Sequence, residues 1–152
     1  MDKSEGQSYD DFSLRKDEII RGHDSYFRIL QDSKTVTSDF LKAFVNKQST
    51  EIKNIDFTKS PLFTHNVKVG FIIAKKKIRK SYFRNRIRRL LKESYRLNRD
   101  ISGINDLNLN ILFTLGEKGY EYFKDHPQTK LDFVEYEMKI LLKKIITKFT
   151  FK

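Results

Sequence analysis

Apolar and polar positions alternate in three stretches of the chain and recur at helical spacing in three others. Leu107, Leu109, Ile111, Phe113 and Leu115 fall on one side of an extended segment, with Asn108, Asn110, Leu112 and Thr114 on the other. This predicts a strand over 107–115 with one well-buried face. Thr35 to Val45 alternates Phe40, Lys42 and Phe44 against Leu41, Ala43 and Val45, and predicts a single strand. Val67 to Ala74, with Val69, Phe71 and Ile73 in alternation, predicts another. Asn46 to Asn66 is polar and mixed, contains Pro61, and reads as a connection with part of a strand around Ile52–Phe57.

The helical stretches are of different quality. Phe12 to Leu30 carries Leu14, Ile19, Ile20, Tyr26, Phe27 and Leu30, enough for a short helix weakened in the middle by Gly22. Ser81 is the candidate N-cap of a helix running to about Arg99. Thr129 to Lys148 has the stripe Leu131, Val134, Met138, Leu141, Leu142, Ile145 and Phe149, the signature of core packing. Gly103 and Gly116 to Gly119 mark turns. Residues 1–11 read as a flexible polar tail, and 12–152 as one domain. No internal repeat or low-complexity tract interrupts this order.

Composition narrows the function classes. The chain has 152 residues and no Cys, which excludes disulfides, thiolate nucleophiles and Cys-ligated zinc. No apolar run approaches the roughly 20 residues that span a bilayer, and the start lacks the apolar centre of a secretory signal. A cytoplasmic protein with no membrane contact is the expectation. His23, His65 and His126 are scattered and form no ligand spacing. Gly116-Glu117-Lys118-Gly119 lacks the length and Lys-Ser/Thr ending of a phosphate loop. No catalytic or metal site borne by the protein emerges.

Charge changes the picture once it is located. The formal net charge is +11. Lys75 to Arg99 holds twelve basic residues and one acid, Glu93, so this segment alone carries +11. The remaining residues hold 19 basic and 19 acidic groups. Charge concentrated on one element points to a polyanion-binding surface. On a helical wheel, Phe83, Ile87, Leu90, Leu91, Ser94 and Leu97 form one arc. Arg84, Asn85, Arg88, Arg89, Lys92, Arg96 and Arg99 form the other, with Arg86 at the border. The basic arc is a rail roughly 25 Å long.

A merely solvated face would mix signs. Here Arg84–Arg88, Arg88–Lys92 and Lys92–Arg96 repel at i,i+4, and only Arg89–Glu93 attracts. Bound phosphates would compensate. Six Arg against one Lys between 84 and 99 favour the bidentate, stacking chemistry of nucleic-acid contact. A membrane surface is a weaker reading, because two strands flank the helix and the core needs its apolar face. A DNA-binding regulator is weaker too: no helix-turn-helix spacing precedes Ser81. A protein-only nuclease would need clustered acids.

Arg84-Asn85-Arg86-Ile87-Arg88-Arg89-Leu90, followed by Glu93 and Arg96, resembles the Arg-Asn-Arg signature of the bacterial ribonuclease P protein component. Val69-Gly70-Phe71-Ile72-Ile73-Ala74-Lys75-Lys76 resembles the strand that precedes it in that family, with Ala74 in place of the usual Ser. The loop to Arg84 is one residue longer than the commonest version. Phe12-Ser13-Leu14-Arg15-Lys16 resembles the family's N-terminal segment, and the resemblance covers about residues 12–148.

The resemblance implies an α+β fold. This is a single two-layer α/β sandwich with an about four-stranded mixed sheet, helices, and a left-handed βαβ crossover through the basic helix. Handedness rules alone predict the opposite hand. It further implies a protein subunit of ribonuclease P, an endoribonuclease that removes the 5′ leader of precursor tRNA. The RNA subunit carries catalysis, and Mg²⁺ is bound mainly by RNA and substrate. The implied partners are ribonuclease P RNA and precursor tRNA, with no protein partner required. Residues matching the RNA-subunit contact are Lys75, Lys76, Arg79, Lys80, Arg84, Asn85, Arg86, Arg88, Arg89, Lys92 and Arg96. Asn85 has the alternative of a local hydrogen bond at the helix start. Leader-cleft matches are Tyr26, Leu30, Lys42 and Phe44, with Phe27 as a substitute where the family often has an aromatic at Leu30. Strand alternation adds Phe40 to the face of Lys42 and Phe44, with plain core packing as the alternative for Phe40 and Phe44. The rival that composition leaves open is a non-catalytic RNA-binding protein of ribosomal type.

Overall fold

The computed structural model describes residues 14, 16–48, 67–100, 103–104 and 106–150. The expected tail 1–11 lies outside the described residues, as does the connection expected at 46–66 from residue 49 on, with its strand around 52–57. Asn46 and Lys47 belong instead to a strand. Helix α1 is His23–Gln31, and strands β1 and β2 are Lys34–Thr37 and Leu41–Lys47. Strand β3, Lys68–Phe71, is followed by helix α2, Ser81–Asn98. Strand β4, Leu109–Leu115, leads to helices α3, Glu117–Asp125, and α4, Leu131–Thr150. The sheet is mixed, in the order β1-β2-β4-β3, with β3 parallel to β4 and the other pairs antiparallel. The α+β expectation and its four-stranded mixed sheet hold.

Several local expectations change. The segment 12–30 is not one helix. Gly22 has φ +97°, a left-handed conformation that suits Gly and interrupts a right-handed helix. Before it, among the described residues, lies a 3₁₀ turn, Lys16–Glu18, and Ile19 bridges to Val69.

The segment 35–45 is a hairpin rather than one strand. Ser38 Oγ accepts from Leu41 N at 3.1 Å, and Ser38 N donates to Leu41 O at 2.9 Å. The buried Glu137 of α4 fixes this turn by accepting from Ser38 Oγ and Phe40 N, both at 3.0 Å.

The turn expected at 116–119 opens a helix, α3. Gly119 makes it possible: a Cβ there would lie 2.1 Å from Phe40 O. Finally, α2 starts at Ser81, but its N-cap is Lys80 and no side chain caps it.

The core lies between one sheet face and the helices α2 and α4. Leu41, Ala43, Val45, Val69, Ile111 and Phe113 meet Ile87, Leu91, Met138, Leu141 and Leu142 there. Burial of this apolar area is the main favourable term in folding. A smaller cluster on the opposite face joins Ile20 and Ile29 to Leu112, with Tyr26, Phe44 and Ile72 at its margin. Strand β4 is therefore buried on both faces, not on the one expected. At the free edge, Lys144 and Lys148 of α4 donate to Thr37 O and Thr35 O at 3.0 and 3.3 Å. Lysines on the outward carbonyls of an edge strand discourage pairing with another chain.

Candidate nucleic-acid interface

The basic loop between β3 and α2 is a held structure. Lys77 N and Ile78 N both donate to Ala74 O, at 3.1 and 3.0 Å, which closes a tight turn. Ile78 is buried and plugs the loop into the core. Tyr120 of α3 accepts from Ala74 N at 3.0 Å and lies 3.2 Å from Thr114 Oγ1. Arg84 closes the other side: its Nη1 donates to Ile78 O at 2.8 Å and to Arg79 O at 2.6 Å. Lys75, Lys76, Lys77, Arg79 and Lys80 are left exposed on this frame. They stand before the N-terminus of α2, where no acid occupies the first turn. Uncapped N–H groups and the positive end of the helix dipole add to the five cations, so an anion is favoured there.

Along α2 the expected basic face divides. Arg84, expected to point outward, is 9% exposed and works as an internal brace. The apolar part of its stem and its two carbonyl partners explain why a charge can be buried there. Arg86 reaches across to the α3–α4 corner, donating to Pro127 O at 2.9 Å and Thr129 O at 2.8 Å. Arg99, placed on the same rail by the wheel, is buried in an ion pair with Glu18 at 2.8 Å. Tyr95 lies close by, and burial pushes its phenol well above the ordinary value. Leu97 leaves the apolar arc and is 47% exposed.

Glu93 pairs with Arg96 rather than with Arg89, through both carboxylate oxygens. These hydrogen bonds hold the Glu93 carboxyl below its ordinary value and raise the Arg96 guanidinium. Asn85 is exposed and accepts from Arg88 one turn on, so its local bond is within the helix and not at its start. Arg89 and Lys92 remain exposed, with Arg88 partly so.

The opposite sheet face carries a groove under α1. Lys42 and Phe44 share this face, with the Lys42 ammonium 5.0 Å from the Phe44 ring centroid. Tyr26 is half-buried against the same cluster, and its hydroxyl donates to Ile20 O at 3.0 Å. Leu30 and Phe27 are exposed on α1, 42% and 57%. Phe40 does not belong to this surface. It sits in the hairpin turn, and its ring packs against Tyr122 and Phe133 at 5.2 and 5.1 Å.

The groove also gathers residues that the sequence reading missed. Arg21, Arg28 and Lys68 line a depression beside it, against Ile20 and Ile29, with Asn46 and Asn110. The buried Asn46 Oδ1 has no hydrogen-bond partner among the described residues. A second depression, lined by Arg21, Tyr26, Phe71, Arg88, Arg89 and Lys92, joins this groove to the rail of α2. The signal for the missed cations was weak: isolated Arg or Lys in polar segments, brought together only by the fold.

The family model for ribonuclease P matches residues 14–145. The chain belongs to the ribonuclease P protein family. It is similar to the ribonuclease P protein component of Chlorobium phaeobacteroides, 29% identical over 124 residues, 74% of this chain and 79% of that protein. Among solved structures, the ribonuclease P protein of Thermotoga maritima superposes with a TM-score of 0.61 at 17% identity, covering 83% of this chain and 96% of that one. The Staphylococcus aureus ribonuclease P protein gives 0.59 at 15% identity, covering 87% and 96%. These two structures support the fold. Within the family signature, two of the three residues Arg84-Asn85-Arg86 are engaged with this chain's own backbone.

Proposed function

We propose that this chain is the protein subunit of ribonuclease P. It binds the catalytic RNA through the basic loop and the outer face of α2, and holds the 5′ leader of precursor tRNA in the groove under α1. The observation that carries this reading is the braced loop: five cations are fixed on a frame before a helix N-terminus. Charges held in advance lose little freedom on binding phosphate. Arg88, Arg89 and Lys92 extend that surface, and Lys75, Lys76, Arg79 and Lys80 begin it.

The groove suits an unpaired strand. Tyr26 and Phe44 offer aromatic surface, Leu30 and Phe27 apolar surface, and Lys42, Arg21, Arg28 and Lys68 neutralise phosphates. Because the two surfaces adjoin at Arg21 and Tyr26, one RNA-bound complex can present its leader to the groove without leaving the protein.

Cleavage belongs to the RNA in this reading, and the chain's groups bind and orient. Among the described residues no group of three or more metal-ligating side chains comes together. In this reading Mg²⁺ is held mainly by the RNA subunit and substrate. No described helix is long and apolar enough to cross a membrane. The expected setting is the cytoplasm, with ribonuclease P RNA and precursor tRNA as partners and no protein partner required.

Reconstitution tests the proposal. A bacterial ribonuclease P RNA at low Mg²⁺ is mixed with the protein and a precursor tRNA bearing a leader. Cutting at the mature 5′ end by the mixture alone is expected. A mixture no better than RNA alone, with folded protein and cognate RNA, would instead favour a ribosomal type of RNA binding.

A further inference from the structure

The corner between α3 and α4 carries an aromatic stack that the RNA surfaces described above do not use. Phe133 and Tyr122 lie ring on ring, centroids 4.3 Å apart at 13°. Tyr122 and His126 continue the stack at 4.2 Å and 19°. Phe133 and Tyr122 are partly buried, and Phe40 braces both from the edge. His126 is exposed. Tyr122 covers one face of its ring, and among the described residues no other ring meets it.

The imidazole is fixed in place. His126 N donates to Tyr122 O at 2.8 Å, and Nδ1 lies 3.1 Å from the same carbonyl. A carbonyl only accepts, so Nδ1 carries a proton in this contact. Thr129 donates to His126 O from both its N and its Oγ1, and Arg86 ties Pro127 O and Thr129 O to α2. On the α2 side of this corner lies a depression with Leu90 and Leu131 in its lining, beside Arg86, Arg89 and Lys92 and one acid, Glu93.

We propose that His126 is a stacking platform for an unpaired base of ribonuclease P RNA, at the border of the α2 surface. The inference rests on the function proposed above and extends its RNA contact beyond the basic segment. A purely structural role does not need this ring. The backbone N–H of His126 already satisfies Tyr122 O, and an exposed imidazole adds little buried area. An outward flat ring on an immobile aromatic pedestal, beside cations, is instead what an unpaired base requires. The ordering cost falls on the RNA alone.

The test uses the full chain with its ribonuclease P RNA, and an unrelated structured RNA of equal length as control. His126→Ala is expected to weaken binding of the ribonuclease P RNA by about 5- to 100-fold, the range of one base–aromatic stack. His126→Phe is expected to keep affinity within about threefold, since it retains the ring face. Both should melt near the unsubstituted protein and keep its salt slope, because no phosphate contact is removed. A benzophenone side chain placed at 126 should cross-link to unpaired nucleotides of the RNA subunit. The inference is overturned if His126→Ala binds as tightly as the natural chain, or if His126→Phe loses as much as Ala. Cross-linking only to the tRNA leader, or to no RNA, overturns it as well. If the natural chain does not distinguish ribonuclease P RNA from the control, the functional reading itself fails and takes this inference with it.

Discussion

The two ends of α2 and its middle draw on the same basic run of sequence and do opposite things with it. At the start, Arg84 is buried against the carbonyls of Ile78 and Arg79. At the finish, Arg99 is buried against Glu18. Between them Arg89 and Lys92 face outward and Arg88 partly so, and Glu93, the acid beside them, is hydrogen-bonded to Arg96. The buried pair fixes the frame, and the exposed trio offers charge from it. A net charge of +11 on 25 residues is therefore not eleven phosphate contacts. Some of that charge is spent on making the remainder rigid.

The strongest way to break this comparison is at Arg99. Removing one partner of a buried ion pair leaves the other charge unpaired and costs about 3–5 kcal/mol. Arg99→Ala should lose roughly that much in urea-induced unfolding, while the salt dependence of RNA binding by the folded fraction keeps its slope. A stable Arg99→Ala with a slope reduced by about one would instead make Arg99 an RNA contact.

Arg84→Ala comes next. It leaves two loop carbonyls without their donor, a loss of about 1–3 kcal/mol. Amide exchange across 74–80 should accelerate more than exchange in β4, because the brace acts locally. RNA affinity should fall by more than the loss of one exposed charge causes. Arg84→Lys should rescue it only in part, since both bonds leave the single nitrogen Nη1 and the shorter lysine stem holds its ammonium back from that point.

Much of this division was illegible in the sequence, for a physical reason. A wheel assigns residues to faces by angle, and angle does not tell whether a long side chain turns back to its own backbone. Arg84 and Arg99 both fall on the polar arc and both fold inward, one to a loop six residues earlier and one to a 3₁₀ turn far away in sequence. Alternation located β4 and the 41–45 part of β2, because one face of each meets the main core. It failed at Phe40, where Ser38 and Glu137 make a turn that no periodicity encodes. Helix α3 was missed because its start reads as Gly-rich, yet Gly119 is there for a close approach to Phe40 O and not for a turn. The Arg-Asn-Arg signature was legible as a whole, but the share each residue takes in structure and in binding was not.

The exposed trio gives the complementary prediction. Arg89→Ala and Lys92→Ala should each leave stability within about 0.5 kcal/mol, as surface changes usually do. Each should lower the slope of log affinity against log salt by about 0.7–0.9 if it meets a phosphate. Slopes unchanged in both variants would remove the outer face of α2 from the interface and leave the loop as the principal contact.

The smallest effect, and the sharpest on the boundary between the two groups, is at Glu93. Its carboxyl is held below the ordinary value first by hydrogen bonds from Arg96. A carboxyl depressed on folding contributes stability that is complete above its unfolded value, near 4.3, and is lost as pH falls through the folded value. Glu93→Gln should therefore be slightly less stable than the natural chain at neutral pH, by under about 0.5 kcal/mol for so exposed a pair. The two should converge as pH falls through the depressed folded value, where the carboxyl is protonated. RNA affinity should move the other way. The substitution removes the one acid of the basic segment and loosens Arg96 from its carboxylate, so binding tightens at low salt and the salt slope steepens. A substitution that weakens the fold and strengthens binding would place Arg96 between the inward and outward groups. If affinity falls with stability, the Glu93–Arg96 pair is part of the frame, and Arg96 belongs with Arg84 and Arg99.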